Sequence, residues 1–355
     1  MTPAKPEIHI HTLTDGGQTP KIIAEKLAGF IASAGQSLDI AIYDLHLGRE
    51  PAGLVIEAIR GASARGVAVR VAYNVDHDRP IAVPPPARTD TGLIAELGVP
   101  SEAIPGVPDL MHNKYVVRDR AAVWTGSSNW TDDAWSREEN LIVTAVSEEL
   151  AMAFRQDFEQ LWSTRQVAGS GDVDPRPVAL GTSTVRPWFC PDHGADLAHR
   201  IARSIGQART RVRIASPVIT SGPILGTLAE VAADGKVDLA GVVDATQIRE
   251  VYGQWRAKER THWKLTSLAQ VFSCAEFTGK RSTPYRPGSV HDYMHAKVTV
   301  ADDVAFVGSF NLSHSGEMNA ENVLEIADPV LCSQLVAFID EVRDRYPKAP
   351  LPSGA

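Results

Sequence analysis

Apolar residues along this chain follow two periods, and the two alternate. Residues 20–36 (PKIIAEKLAGFIASAGQ) carry helical spacing with a proline near the start, and residues 37–45 (SLDIAIYDL) read as a buried strand. In residues 51–65, Leu54, Val55, Ile59 and Ala62 fall on one helical face. Gly66 then ends that helix before the β-branched run 67–73. The same order returns downstream, with helices over 195–208 and 223–233 and strands over 210–219 and 237–243. Alternating strands and helices predict an α/β fold: a largely parallel, buried sheet covered by helices, with antiparallel strands added further along each half.

Polar residues repeat as well. His112, Lys114 and Asp119 are followed by Gly126-Ser127-Ser128-Asn129 and Glu139-Asn140. Far downstream, His295, Lys297 and Asp302 are followed by Gly308-Ser309-Phe310-Asn311 and Glu321-Asn322. His to Lys is 2 residues and His to Asp is 7 in both copies, His to Asn is 17 against 16, and Asn to Glu is 10 in both. Two copies of five polar residue types in one order imply an internal repeat and a single site built from both halves. The expected division is residues 1–166 with the first motif, a linker over 167–187, residues 188–347 with the second motif, and a tail over 348–355. The linker is rich in Gly, Pro and Ser and lacks clear periodicity. Two long irregular stretches, 76–110 with Pro84-Pro85-Pro86 and 279–293, lead into the motif histidines and are the candidates for selecting a substrate.

Composition narrows the class. The 355 residues are 44% hydrophobic and 22% charged with net charge −8, values of an ordinary soluble protein. Three scattered cysteines, Cys190, Cys274 and Cys332, offer neither a disulfide framework nor zinc spacing, and a reducing cytoplasm is the expected setting. No segment approaches the roughly 20 apolar residues that cross a bilayer, so any membrane association is expected to be peripheral. The N-terminal residues lack the apolar run of a secretory signal.

The motif chemistry follows from strand geometry. A His and a Lys two residues apart at the head of a strand point the same way, so each half offers an imidazole beside an ammonium. Turns at Gly126-Ser127 and Gly308-Ser309 bring Asn129 and Asn311 nearby. Two such corners facing each other would surround a phosphate, with Lys114 and Lys297 neutralising its oxygens and Asn129, Asn311, Ser127 and Ser309 adding hydrogen bonds. One neutral imidazole can attack phosphorus while the other, protonated, serves the leaving oxygen. Glu139 and Glu321 are candidates to orient the two rings. No metal or other cofactor is called for.

These motifs resemble the paired HxKxxxxD signatures of the phospholipase D superfamily, with the accompanying Gly-Ser-x-Asn and Glu-Asn, over roughly residues 8–345. The resemblance implies a pseudo-two-fold pair of α/β lobes with one active site between them, a phosphohistidine intermediate, and hydrolysis or transfer of a phosphodiester. It makes His112 the nucleophile and His295 the general acid, an order the residues alone do not assign. Asp119 and Asp302 become mainly structural. His291 and His314 stand near the motifs and stay outside the core site.

The substrate remains open at this stage. Residues 249–286 carry a net +5 in an acidic chain and interleave Tyr252, Trp255, Trp263, Phe272, Phe277 and Tyr285. Such a segment is either a solvated helix face over core aromatics or a docking surface for a polyanion, whether lipid headgroups or a nucleic-acid strand. A phospholipid at a membrane surface is the expected partner and a nucleic acid the alternative, the latter disfavoured by a pI near 5.8. A silent anion-binding module is the third class. Because both half-sites lie in one chain, a monomer suffices.

Overall fold

The computed structural model describes residues 6–75, 89–286 and 288–351. Pro84-Pro85-Pro86 lies outside them. The predicted helices are present as Pro20–Ala32, Arg49–Ala64, Gly194–Gln207 and Gly222–Asp234. The predicted strands are Ser37–Ile42, Ala68–Val75, Arg211–Ala215 and Asp238–Asp244.

Two large sheets carry the fold, and they match strand for strand. The first runs Glu7–Leu13, Asn140–Val146, Ala122–Gly126, Lys114–Arg118, Ser37–Ile42, Ala68–Val75, Ser101–Pro105. The second runs Val178–Leu180, Ser183–Cys190, Glu321–Ala327, Val304–Gly308, Val298–Ala301, Arg211–Ala215, Asp238–Asp244, Glu276–Lys280, and so adds one edge strand. In each, only the last three strands are mutually parallel; the motif strands pair antiparallel with their neighbours.

Outer helices pack on the far face of each sheet, forming cores around Leu27, Ile31 and Ile59 in one lobe and Leu197, Ile201 and Leu228 in the other. The helices Glu148–Thr164 and Pro329–Asp344 cover the inner faces, and Phe154, Phe158, Leu335 and Ile339 join residues of both sheets in one continuous middle core. The two lobes therefore share apolar burial.

That shared core changes the picture of the linker segment. Residues 178–180 and 183–190 are strands, and Val173, Val178 and Val185 are buried in the middle core. Buried Ser183, Val185 and Pro187 alternate with exposed Thr184 and half-buried Arg186, a period of two that the surrounding Gly and Pro conceal, before both faces become buried from Pro187 to Cys190. The irregular stretch 76–110 likewise holds the helix Thr91–Leu97 and the strand Ser101–Pro105.

Asp119 and Asp302 clamp each lobe at the end of the motif strand away from the histidine. Both sit in left-handed turns, at φ 55 and 51. Asp119 accepts from the backbone N–H groups of Gly35, Gln36 and Ser37 at 2.9, 2.6 and 2.9 Å. Asp302 accepts from those of Arg209, Thr210 and Arg211 and from the Thr210 hydroxyl. Each carboxylate thus ties the hairpin after the motif strand to the start of the antiparallel neighbour, Ser37–Ile42 or Arg211–Ala215. Partial burial opposes ionisation of Asp302, yet the Thr210 hydroxyl and the three N–H groups hold its carboxyl down at about 2.

Replacing either aspartate by Ala is expected to cost about 1–3 kcal/mol, seen as a lower urea midpoint. For Asp302 the folded value lies below the ordinary 3.8, so its contribution is present above that value and is lost as pH falls towards about 2. Asp302→Ala should therefore lack the corresponding part of the acid decline in stability, and an unchanged acid limb would contradict the clamp.

Candidate active site between the lobes

Each motif histidine is hung on the opposite lobe. The His112 N–H donates to the Ala320 carbonyl at 2.9 Å, and the His295 N–H donates to the Glu139 carbonyl at 3.1 Å. Matching bridges join Met111 to Ala320 and Glu139 to Met294. From those anchors the chain enters the strands Lys114–Arg118 and Val298–Ala301. Met294, Ala296 and Val298 turn into the middle core, so His291, Tyr293, His295 and Lys297 share the opposite face.

The lysines are placed symmetrically. Lys114 Nζ donates to the His112 carbonyl and Lys297 Nζ to the His295 carbonyl, both at 2.6 Å. They are only 1% and 3% exposed. Burial pushes Lys114 down to about 7, against the pull of Glu321, Asp44 and Glu138. Burial, and then the Lys114 ammonium, hold Lys297 well below the usual lysine range. Burial and the same two ammonium groups also keep both imidazoles well below the ordinary histidine value, in their neutral form.

The groups that orient the rings are not symmetric. His112 Nδ1 lies 2.8 Å from Glu321 Oε2, and the ring also bonds the backbone of Ser309. His295 Nδ1 lies 3.1 Å from Asn140 Oδ1 and 3.4 Å from Glu138 Oε2, while Asn140 Nδ2 donates to Glu138 at 2.8 Å. Burial raises the carboxyls of both Glu321 and Glu138 to about 8.

The expected role of Glu139 is therefore corrected. Its side chain turns away from His295, accepts from Lys280 Nζ at 3.0 Å and bonds the Tyr346 hydroxyl. Lys280 also reaches the Arg137 carbonyl at 2.7 Å and Asp15 at 3.1 Å, making a buried tie between the lobes. The cause is one extra residue in the first lobe's loop: Gly126 pairs with Ile142, while Gly308 pairs with Val323. Glu321 thus corresponds to Asn140, although Asn-to-Glu spacing aligns it with Glu139. Strand alternation carried that signal, because the spacing-based alignment sets Glu325 of the outer face against the core residue Val143.

The serines are also placed differently from expectation. Ser127 and Ser309 are fully buried. Ser127 Oγ donates to Asn140 Oδ1 at 2.7 Å and accepts from Leu141 N at 3.0 Å. Ser309 Oγ accepts from Asn322 N at 3.0 Å and bonds Glu321. Each hydroxyl supports a ring-orienting residue and is not presented to a phosphate. The preceding glycines are required there, since a Cβ on Gly126 or Gly308 would strike the carbonyl oxygen of Leu141 or Asn322. Asn129 and Asn311 each bury a side-chain oxygen with no hydrogen-bond partner among the described residues, a cost that a ligand or water can relieve. Asn322 instead joins a buried chain outside the pocket: it accepts from Thr125 at 2.6 Å and donates to Asn113 at 2.8 Å.

Tyr43 is a site residue that motif reasoning missed. Its ring lies 4.6 Å edge-on from the His112 ring, and Lys114 Nζ sits 4.6 Å from its centroid. Ala41 pairs with Tyr115 as Ala215 pairs with Val298, so Pro217 takes the place of Tyr43 in the second lobe.

A family model described as "Cardiolipin synthase, PLD-like domain" matches residues 27–162 and 201–343, one stretch per lobe. The mitochondrial cardiolipin hydrolase of Homo sapiens is 28% identical over 141 residues, 39% of this chain and 50% of that protein. That of Xenopus laevis is 42% identical over 53 residues, 15% of this chain and 25% of that protein. The chain spans half or less of the length of these curated relatives. The crystal structure of phosphatidylserine synthase from Haemophilus influenzae Rd KW20 aligns with TM-score 0.62 at 15% identity, covering 95% of this chain and 85% of that one, and shares the fold.

Nitrogen NMR of the imidazole rings tests the wiring. Glu321→Gln is expected to change the tautomer signature of His112 alone, and Asn140→Leu that of His295 alone. Glu139→Gln should leave both rings unchanged while costing roughly 3 kcal/mol of stability through Lys280. A His295 shift in Glu139→Gln as large as in Asn140→Leu would overturn this assignment.

Proposed function

The chain belongs to the phospholipase D superfamily, and from that premise we propose a metal-independent phosphodiesterase that hydrolyses or transfers a phospholipid phosphodiester through a phosphohistidine. The observation that carries this is the pairing across the lobe boundary: two neutral, buried imidazoles with Nδ1 engaged, each beside a buried ammonium. The human and frog relatives are cardiolipin hydrolases by name, and this favours a phospholipid over a nucleic acid as substrate.

In the proposed reaction the phosphodiester anion binds between Lys114 and Lys297, assisted by Asn129 and Asn311. Its charge cancels the ammonium fields that depress both histidines, so substrate binding raises their proton affinity. His112 Nε2 attacks phosphorus and the bond to the leaving oxygen breaks. With the anion bound, His295 takes up a proton on Nε2 from solvent and donates it to the leaving alkoxide, with Asn140 and Glu138 holding its Nδ1. Glu321 accepts the Nδ1 proton of His112 in a hydrogen bond as positive charge develops on the ring. A water or an acceptor alcohol then gives a proton to His295 and attacks phosphorus. The N–P bond breaks and His112 is regenerated. The lysines supply the positive charge that a metal ion supplies in other phosphoryl-transfer sites.

A substrate panel of bis-p-nitrophenyl phosphate, several phospholipids and single- and double-stranded nucleic acids tests the proposal. His112→Ala and His295→Ala should each lower turnover at least about a hundredfold, the lower range for an acid–base or nucleophilic group. Only His112→Ala should abolish a trapped phosphoenzyme. Turnover that survives both changes would defeat the mechanism, and cleavage of nucleic acid with no phospholipid turned over would defeat the substrate.

The pH dependence has a defined sign. Lys114 loses its proton above about 7 in the free protein, so kcat/KM should fall as pH rises past that value. Bound phosphate keeps the proton on, so the corresponding limb of kcat should lie at higher pH. A kcat/KM that is flat from pH 6 to 9 would remove Lys114 from phosphate binding.

A further inference from the structure

The basic segment seen in the sequence divides in three dimensions. Lys280 is buried between the lobes, and Tyr252, Trp255 and Phe277 are core residues of the second lobe. One part of the segment forms a compact patch where the helix Ala245–Arg256 gives way to the turn Glu259–Thr261 and the helix His262–Cys274, and Arg249, Arg281 and Arg286 are exposed outside it. Arg256, Lys258 and Arg260 are exposed there with Lys264 half-buried beside them; the acids set against them are Glu259 and, facing Lys264, Glu317. Lys258 and Arg260 make no ion pair among the described residues.

Trp263 stands out of this patch, 48% exposed. Its orientation is fixed from below: Lys264 Nζ sits 5.7 Å from its ring and donates to the Thr220 carbonyl at 2.7 Å, and the ring edge lies against Gly222. Thr220 in turn donates its N–H to Leu312, the residue after Asn311, at 2.7 Å. On the same side Ser221 donates to Glu317 at 2.8 Å, and the next residue, Met318, is 44% exposed. Two large apolar side chains and a group of cations therefore flank the loop that carries a phosphate-site asparagine, in a chain of net charge −8.

We propose that this patch, centred on Trp263 with Lys258, Arg260, Lys264 and Met318, docks the protein on an anionic phospholipid surface and brings that surface to the mouth of the active site. Charge complementarity supplies the attraction, with each lysine or arginine near an anionic leaflet strengthening binding about fivefold (about 1 kcal/mol). Trp263 is suited to the headgroup level, where an indole keeps its ring in apolar surroundings and its N–H in water. Among the described residues the first lobe shows no counterpart. The described part of its equivalent crossing, between the strands Ala68–Val75 and Ser101–Pro105, carries the short helix Thr91–Leu97, whose own seven residues include no cation and no aromatic. The proposal rests on the phospholipid reading for its purpose, although docking can be measured without turnover.

Co-sedimentation of the full chain with phosphatidylcholine vesicles, with and without phosphatidylglycerol, is the test. The wild type should bind the anionic vesicles and release with added salt. Lys258→Ala with Arg260→Ala should bind about thirtyfold more weakly, two cations at about 1 kcal/mol each. Trp263→Ala should also weaken binding, and all variants should cleave soluble bis-p-nitrophenyl phosphate like the wild type. Absence of wild-type binding, equal binding by the variants, or loss of single-stranded DNA binding in place of vesicle binding would overturn the proposal. Docking through the patch with no phospholipid hydrolysed would leave it standing and sink the lipid-substrate reading. Hydrolysis of short-chain phospholipid without vesicle binding would do the opposite.

Discussion

Neither lobe can place its own histidine. The backbone hydrogen bonds from His112 to Ala320 and from His295 to Glu139 mean that each imidazole is positioned by the residue just before a strand, 208 positions later in one case and 156 earlier in the other. Those two bonds lie beneath a middle core in which Phe154 and Phe158 of one lobe meet Leu335 and Ile339 of the other. Any change that separates the lobes removes both the apolar burial and the partners of the histidine backbones. Site geometry and lobe association are consequently one property of the molecule.

The same closure explains the electrostatics. Two lysines and two glutamates share a buried region, and bringing them there costs far more than ordinary surface placement. Part of that cost is offset internally, since each ammonium caps a backbone carbonyl and feels nearby carboxyls. What is left appears as depressed lysines, neutral imidazoles and raised carboxyls, along with the unpartnered oxygens of Asn129 and Asn311. A dispersed charge of this kind is unfavourable when empty and becomes favourable when an anion enters.

Most of the architecture was legible in the chain because it rests on local periodicity. Helical spacing and β-branched runs place eight elements correctly in order, the duplicated His and Lys positions follow from strand alternation, and the Asn positions follow from the Gly-Ser turns. What escaped were features set by contacts distant in sequence. The strands at 178–180 and 183–190 have their alternation hidden by prolines and glycines that are tolerated beside an edge. Glu139 was misassigned because motif spacing counts residues along one loop, whereas strand register decides which residue meets the opposite histidine. Tyr43 lies on no motif and reaches Lys114 only through pairing of neighbouring strands. The serines show the converse limit: a hydroxyl in a motif looks like a ligand group until the register shows it holding Asn140 or Glu321.

A duplicated fold also meets a chemical constraint that duplication cannot satisfy. In the proposed reaction one phosphorus accepts one nucleophile, and the opposite side must handle a proton, so equivalent histidines would compete for the same role. The backbone symmetry is kept where it positions groups, in the carbonyl-capped lysines and the aspartate clamps. It is broken where it sets reactivity. His112 has a carboxylate at Nδ1 and Tyr43 against its ring, while His295 has an amide oxygen at Nδ1 with Glu138 behind it and Pro217 in place of the tyrosine. A carboxylate at Nδ1 stabilises positive charge building on the ring that bonds phosphorus. An amide oxygen in direct contact, with the carboxyl of Glu138 farther off, still fixes the tautomer but stabilises the protonated ring less than direct contact with Glu321, which eases release of its proton to a leaving group. The single extra residue between Gly126 and Ile142 puts an amide at one histidine and a carboxylate at the other, so a small change of loop length is enough to make the two halves unequal.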